Sequence, residues 1–130
     1  LDNFKEVNDV YGHEKGDDVL SNASRSLQKI LRKEDSLIRW GGEEFVMILP
    51  DTKLGHISKI LNRLGADGIG EKPNGTMQTA SAGAAELIED NTISLAQLLA
   101  LADERMYEAK KSGKNKVQMK ERNFTLIESI

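Results

Sequence analysis

Apolar positions spaced three and four residues apart mark four helical stretches, and two short apolar runs between the second and third mark a hairpin. Phe4, Val7 and Tyr11 share one face of a short helix over Asp2 to Tyr11, which Gly12 ends. A polar loop, Gly12-His13-Glu14-Lys15-Gly16, leads to a second helix opened by Asp17 and Asp18, where acids favour the N-terminal dipole. Its apolar stripe is Val19, Leu20, Ala23, Leu27, Ile30 and Leu31. Ser36 to Trp40 and Phe45 to Leu49 read as two strands joined through Gly41-Gly42, a pair that accepts the positive φ of a two-residue turn.

Pro50-Asp51-Thr52 stops the second strand and starts a third helix, with Leu54, Ile57, Ile60, Leu61 and Leu64 on its apolar side. Gly65 to Gly75, with Pro73, reads as a loop, and Met77 to Ala85 as a weak strand of small residues. Thr92 to Ser112 is the strongest helix, lined by Leu95, Leu98, Leu99, Ala102, Met106 and Ala109 and closed by Gly113. Asn115 to Met119 forms a last short strand. The tail from Lys120 to Ile130 is either a helix leading elsewhere or a disordered end. Helices interleaved with an antiparallel hairpin predict an α+β fold, a mainly antiparallel central sheet flanked by helices, with the domain over residues 1–119 and a tail over 120–130.

Composition narrows the function classes. The 130 residues are 38% hydrophobic and 30% charged, an ordinary globular balance. Eighteen Lys and Arg against 21 Asp and Glu give a net charge of −3, which argues against a nucleic-acid polymer as partner. With no cysteine, disulfides, thiolate metal sites and a cysteine nucleophile are excluded. No apolar run reaches membrane-spanning length. Leu1 opens the chain without a Met, so residues upstream are expected.

The chemistry concentrates at Trp40-Gly41-Gly42-Glu43-Glu44-Phe45. Two side-chain-free residues let a bulky ligand approach the backbone, and two carboxylates at the rim of a sheet can hold a divalent cation against phosphate. On its own the same pattern also describes a plain hairpin whose glutamates solubilise its edge.

Several separated motifs together resemble the GGDEF family of diguanylate cyclases. The opening Leu1-Asp2-Asn3-Phe4-Lys5-Glu6-Val7-Asn8-Asp9 is similar to the family's first segment, and Tyr11-Gly12-His13 with Gly16-Asp17 continues it. Gly41-Gly42-Glu43-Glu44-Phe45 is the signature in its GGEEF form. Thr79-Ala80-Ser81-Ala82-Gly83 resembles the family's T-x-S-x-G strand. Ala102-Asp103, Tyr107, Ala109-Lys110 and Gly113-Lys114-Asn115 resemble its closing helix and turn.

The resemblance implies a nucleotidyl-cyclase, ferredoxin-like fold with the signature on a β-hairpin. It implies condensation of two GTP into cyclic di-GMP with release of two pyrophosphates. It further implies a homodimer, Mg2+ or Mn2+, and a cytoplasmic domain within a longer protein that an upstream sensory or membrane domain would control. Asn8 and Asp17 fall where the family reads guanine, chemistry that an amide and a carboxylate can supply, and His13 falls at a substrate contact. Asn3, Phe4 and Lys5 would offer helix N-terminal N–H groups to the terminal phosphates, and Gly41 and Gly42 would lie against GTP. Lys110 and Lys114 fall at the basic phosphate contacts, the second usually Arg, whose bidentate fork Lys lacks. Glu43 and Glu44 fall at the catalytic positions: Glu43 at the metal ligand and candidate base, Glu44 beside it and facing the other way if the strand is regular, and Leu1 would give its backbone carbonyl to the metal. The family's first metal aspartate and first strand would precede Leu1. Arg32 and Asp35 form an R-x-x-D whose register against the signature marks the family's inhibitory site for cyclic di-GMP, which Arg63 completes. The competing readings are a catalytically inactive cyclic di-GMP receptor and a dimerisation scaffold.

Overall fold

The computed structural model describes residues 1–127. Its elements run α1 (Phe4–Tyr11), α2 (His13–Ile30), β1 (Ser36–Arg39), β2 (Phe45–Ile48), a 3-10 turn at Leu54–His56 continuing into α3 (Ile57–Asp67), β3 (Ser81–Gly83), α4 (Leu95–Lys111), β4 (Lys116–Gln118) and β5 (Asn123–Thr125). The class is α+β, as the interleaved pattern predicts. Among the described residues the strands form two small sheets. One is the antiparallel hairpin β1–β2, with Ser36 opposite Ile48 and Arg39 opposite Phe45. The other places β4 between β3, parallel to it, and β5, antiparallel to it. A parallel pair needs a long crossover, and α4 supplies it. No helix of the described residues is long and apolar enough to cross a membrane.

The apolar stripes pack as their spacing demands. Ala23 and Ile30 of α2, Leu61 and Leu64 of α3, Ile69, Val117, Leu126 and Ile127 bury together as the main core. Phe4 and Val7 of α1 bury against Val19 and Leu20 of α2 in a smaller second core, which holds α1 on α2. The first two residues lie between the sheets: the Leu1 amino group donates to the Glu43 carbonyl at 3.0 Å, and the Asp2 N–H to the Thr79 carbonyl at 2.9 Å.

Several expected boundaries move, each for a local reason. The loop over Gly12 to Gly16 shrinks to one residue, because Gly12 at φ +89° reverses the chain alone and α2 begins at His13. Asp17 therefore sits inside α2 and does not open it. The hairpin is not a two-residue glycine turn. Residues 40–44 separate the strands, the Trp40 N–H donates to the Glu44 carbonyl at 2.9 Å, and neither Gly41 nor Gly42 has positive φ. Gly65 lies within α3, which Gly68 at φ +74° ends. The weak strand narrows to Ser81–Gly83, because Gln78 pairs instead with Gly70 and Thr79 with Asp2. In α4, capped by Ser94, Leu95 is exposed and Arg105 is buried, so the buried face is not the purely apolar line.

The tail is neither a helix nor a loose end as far as it is described. It makes β5 and then buries Leu126 and Ile127 in the main core, so the boundary at residue 119 cuts through packed structure. Asn115 anchors it: its side chain donates to the Ile127 carbonyl and accepts from the Ile127 N–H, both at 2.9 Å. Ile130, the last apolar position of the tail, lies outside the described residues.

Candidate functional site

A cleft of about 380 Å3 opens where α1, α2 and the hairpin meet. From α1 it takes Phe4, Lys5 and Asn8, from α2 His13, Asp17 and Leu20, and from the hairpin Arg39, Gly42 and Glu43. Seven of these were singled out from sequence; Leu20 and Arg39 were not. The pairing of α1 with α2 is what lets the cleft form. Gly16 is buried at their crossing, and a Cβ there would stand 1.9 Å from Asn8 Oδ1 and 3.2 Å from Phe4 Cζ. The missing side chain gives Asn8 its place beside Asp17.

The hairpin loop is braced from within. Arg39 Nη2 donates to the Gly42 carbonyl at 2.8 Å, and its Nε to the same oxygen at 3.2 Å. A Cβ on Gly42 would meet nothing within 4 Å, and one on Gly41 only the Glu44 carboxylate at 4.0 Å, so both glycines face open space. Glu43 turns into the cleft, whereas Glu44 does not line it.

Asn3, Lys110 and Lys114 do not line the cleft. Asn3 and Lys114 meet each other: the Lys114 ammonium donates to Asn3 Oδ1 at 2.5 Å, tying the turn after α4 to the start of α1. Lys5 is exposed and pairs with Asp9 at 3.5 Å along α1.

Asp2 is a buried hub that sequence reasoning passed over. Its carboxylate accepts from Thr79 Oγ1 at 2.7 Å, from Ser81 Oγ at 2.6 Å and from the Asn115 N–H at 3.0 Å. Thr79 and Ser81, two apart, present both hydroxyls to one carboxylate; that alternation was the signal available in the sequence. The hub fixes Leu1, and with it the backbone next to Glu43, against β3 and β4.

Arg32 and Asp35 form a closed clamp away from the cleft. Arg32 Nη2 and Nε donate to Asp35 at 2.9 and 3.2 Å, and Nη2 also reaches the Pro50 carbonyl and Thr52 Oγ1, each at 2.9 Å. The Arg32 hydrogen bonds hold the Asp35 carboxyl below its ordinary pKa. Arg63 is exposed on α3, and among the described residues no hydrogen bond or ion pair joins it to Arg32 or Asp35. No cluster of three or more His, Asp or Glu side chains suited to a metal ion occurs among the described residues.

The model of the family described as "Diguanylate cyclase, GGDEF domain" matches residues 1–116. The diguanylate cyclase DgcM of Escherichia coli is 38% identical over 117 residues, which is 89% of this chain and 28% of DgcM. Among solved structures, the GGDEF domain of YfiN (TpbB) from Pseudomonas aeruginosa superposes with a TM-score of 0.79 at 30% identity, over 94% of this chain and 78% of that one. The active GGEEF domain of a diguanylate cyclase from Vibrio cholerae gives a TM-score of 0.71 at 26% identity, over 93% and 78%. With its helices, hairpin and cleft in this arrangement and the family model covering residues 1–116, the chain belongs to the GGDEF family of diguanylate cyclase domains.

Proposed function

We infer that this chain is the catalytic domain of a diguanylate cyclase, which condenses two GTP into cyclic di-GMP and two pyrophosphates. The observation that carries the reading is the single cleft joining Asn8 and Asp17 on the helices to Gly42 and Glu43 on the hairpin. Its volume of about 380 Å3 falls in the range of pockets that hold one small ligand. One domain thus holds one GTP, and two copies facing each other bring the two substrates together in a cytoplasmic homodimer.

In this reading the Asn8 amide and Asp17 carboxylate pair with the guanine edge, which offers matching donors and acceptors, and His13 closes the base side. The first-turn N–H groups at Asn3, Phe4 and Lys5 have no intrahelical acceptors and receive phosphate oxygens, with Lys110 and Lys114 adding positive charge. Gly41 and Gly42 let the nucleotide lie against bare backbone. Glu43 takes the proton of the 3′-hydroxyl that attacks the α-phosphate of the facing GTP, and pyrophosphate leaves. Glu44 supports the loop from its other side. The Glu43 carboxylate and the Leu1 carbonyl would hold Mg2+ or Mn2+, a hard cation that oxygen donors of this kind suit. When bound, the ion neutralises phosphate charge and acidifies the attacking hydroxyl.

Arg32 and Asp35, with Arg63, form the site at which the product inhibits. The Arg32 nitrogens already have partners in this clamp, so product binding would exchange the Arg32–Asp35 contacts for contacts to a phosphate and a guanine edge.

The test is to incubate the full-length protein with GTP and Mg2+ and resolve the nucleotides by chromatography. Cyclic di-GMP that appears and then slows its own formation supports both sites. Absence of product together with calorimetric binding of cyclic di-GMP overturns the enzyme reading and makes the chain a receptor.

A further inference from the structure

Every carbonyl of the signature loop from Gly41 to Glu44 accepts a hydrogen bond, and Arg39 holds the first two. Arg39 Nη2 donates to the Gly42 carbonyl at 2.8 Å, and its Nε donates to the same oxygen at 3.2 Å and to the Gly41 carbonyl at 3.4 Å. The Leu1 nitrogen donates to the Glu43 carbonyl at 3.0 Å, and the Trp40 N–H to the Glu44 carbonyl at 2.9 Å. Packing contributes little to this order. Trp40 is 61% exposed, and a Cβ on Gly42 would meet nothing within 4 Å. Two successive glycines also leave the backbone wide freedom. The loop therefore takes its shape from hydrogen bonds and not from side-chain contacts.

The direction of Glu43 follows from those bonds. A side chain leaves its Cα in a direction set by the two peptide planes that meet there. The plane before Glu43 carries the Gly42 carbonyl, pinned by Arg39, and the plane after it carries the Glu43 carbonyl, pinned by the Leu1 nitrogen. Among the described residues no other hydrogen bond reaches the Gly42 carbonyl or the Glu43 N–H, so Arg39 alone holds the first plane. Arg39 works from the cleft side. It stands opposite Phe45 in the hairpin register, lines the nucleotide cleft together with Glu43, and lines the adjoining groove over α2 together with Leu37 and Phe45. A planar guanidinium can donate to two neighbouring carbonyls at once, whereas an ammonium is a point charge without that fork.

We propose that Arg39 is a positioning residue of the cyclase site: its fork on the Gly41 and Gly42 carbonyls sets the direction in which the Glu43 carboxylate enters the cleft. The role of Glu43 rests on the cyclase reading, and the brace rests on the hydrogen bonds alone. Arg39 neither replaces Glu43 nor moves a proton; it acts on Glu43 through one peptide plane. Loss of the brace displaces the carboxylate, and a small displacement of a reacting group is costly in rate. The groups proposed to hold guanine, Asn8 and Asp17, stand on the helices and are untouched by it.

The experiment uses the full-length protein with Arg39→Ala and, separately, Arg39→Lys. It combines steady-state turnover of GTP with hydrogen exchange read by mass spectrometry. Both variants lower kcat by roughly tenfold or more, with KM for GTP within about twofold of wild type. Exchange quickens in the peptide that carries residues 40–44 and stays at the wild-type rate in α2 and α4, which shows that the variants are folded. Wild-type kcat in Arg39→Lys overturns the proposal, since charge without the fork would then suffice. A raised KM with unchanged kcat also overturns it, because Arg39 would then be a substrate contact. If the wild-type protein forms no cyclic di-GMP, the cyclase reading fails and exchange in Arg39→Ala decides the brace by itself. Faster exchange at residues 40–44 then upholds the brace, and unchanged exchange overturns it.

Discussion

Asn8 and Gly16 are in direct opposition across the α1–α2 crossing: a side chain on Gly16 would occupy the position of Asn8 Oδ1, 1.9 Å away. A Cβ at Gly16 thus meets the end of the Asn8 side chain and not backbone, so Gly16→Ala turns the Asn8 amide away from its position while Ala itself favours the helix. The expected result is a folded protein of similar stability with weakened GTP affinity by calorimetry. GTP binding equal to wild type would remove Asn8 from the guanine contacts.

Glu43→Gln keeps the size and shape of the side chain in the cleft but removes its basicity. Turnover should fall by about 10²–10⁴-fold, the usual worth of a positioned general base, while GTP still binds. Retained turnover would exclude Glu43 as the proton acceptor.

Arg32→Ala removes the guanidinium that contacts Asp35, Pro50 and Thr52. These contacts lie at the surface and outside the cleft, so the initial rate should hardly change. Inhibition by added cyclic di-GMP should disappear. Persistent inhibition would mean that the product binds elsewhere.

The Asp90–Arg105 pair gives a prediction on acid stability. The Arg105 hydrogen bonds, aided by the Glu86 N–H, hold the Asp90 carboxyl below its ordinary pKa, against the opposing effect of burial. A carboxyl depressed by folding contributes stability that is fully present above its unfolded pKa and is lost as pH falls through the folded one. Denaturant midpoints should therefore be flat from neutral pH down to the ordinary carboxylate range and fall below it. In Asp90→Asn that acid-side decline should be shallower. Arg105→Ala, which strands a buried carboxylate, should cost about 3 kcal/mol at neutral pH.

Asp2 serves as acceptor for two hydroxyls and a backbone amide at once. Asp2→Ala leaves those donors without a partner inside the fold, at a cost of about 1–3 kcal/mol for each donor that water cannot reach. Urea denaturation should show this loss. Asp2→Asn, which keeps one acceptor oxygen, should lose less.

Much of the molecule was legible one residue at a time. The stripes of α2 and α3, the two hairpin strands and the helix after Ser94 follow from periodicity, because a helix or strand buries one face whatever it packs against. The cleft residues Asn8, Asp17 and Glu43 were legible only through the spacing of whole motifs. Local pattern alone left each of them an ordinary polar residue.

What the sequence did not disclose depends on partners far along the chain. Arg105 reads as the polar side of a helix until Asp90 folds over it. Residues 123–127 read as a polar tail with a few apolar positions until Asn115 and β4 receive them. Gly83 looks like a strand breaker, yet a Cβ there would stand 1.9 Å from the Ala102 carbonyl oxygen, so β3 rests on the backbone of α4. Asp2 finds Ser81 across 79 positions of sequence. Periodicity by itself determined the four helices and the hairpin strands of this protein, and motif spacing its family, because both are local properties of the chain. Tertiary structure decided which polar groups are buried and which glycines are obligatory, because those depend on what the fold brings alongside.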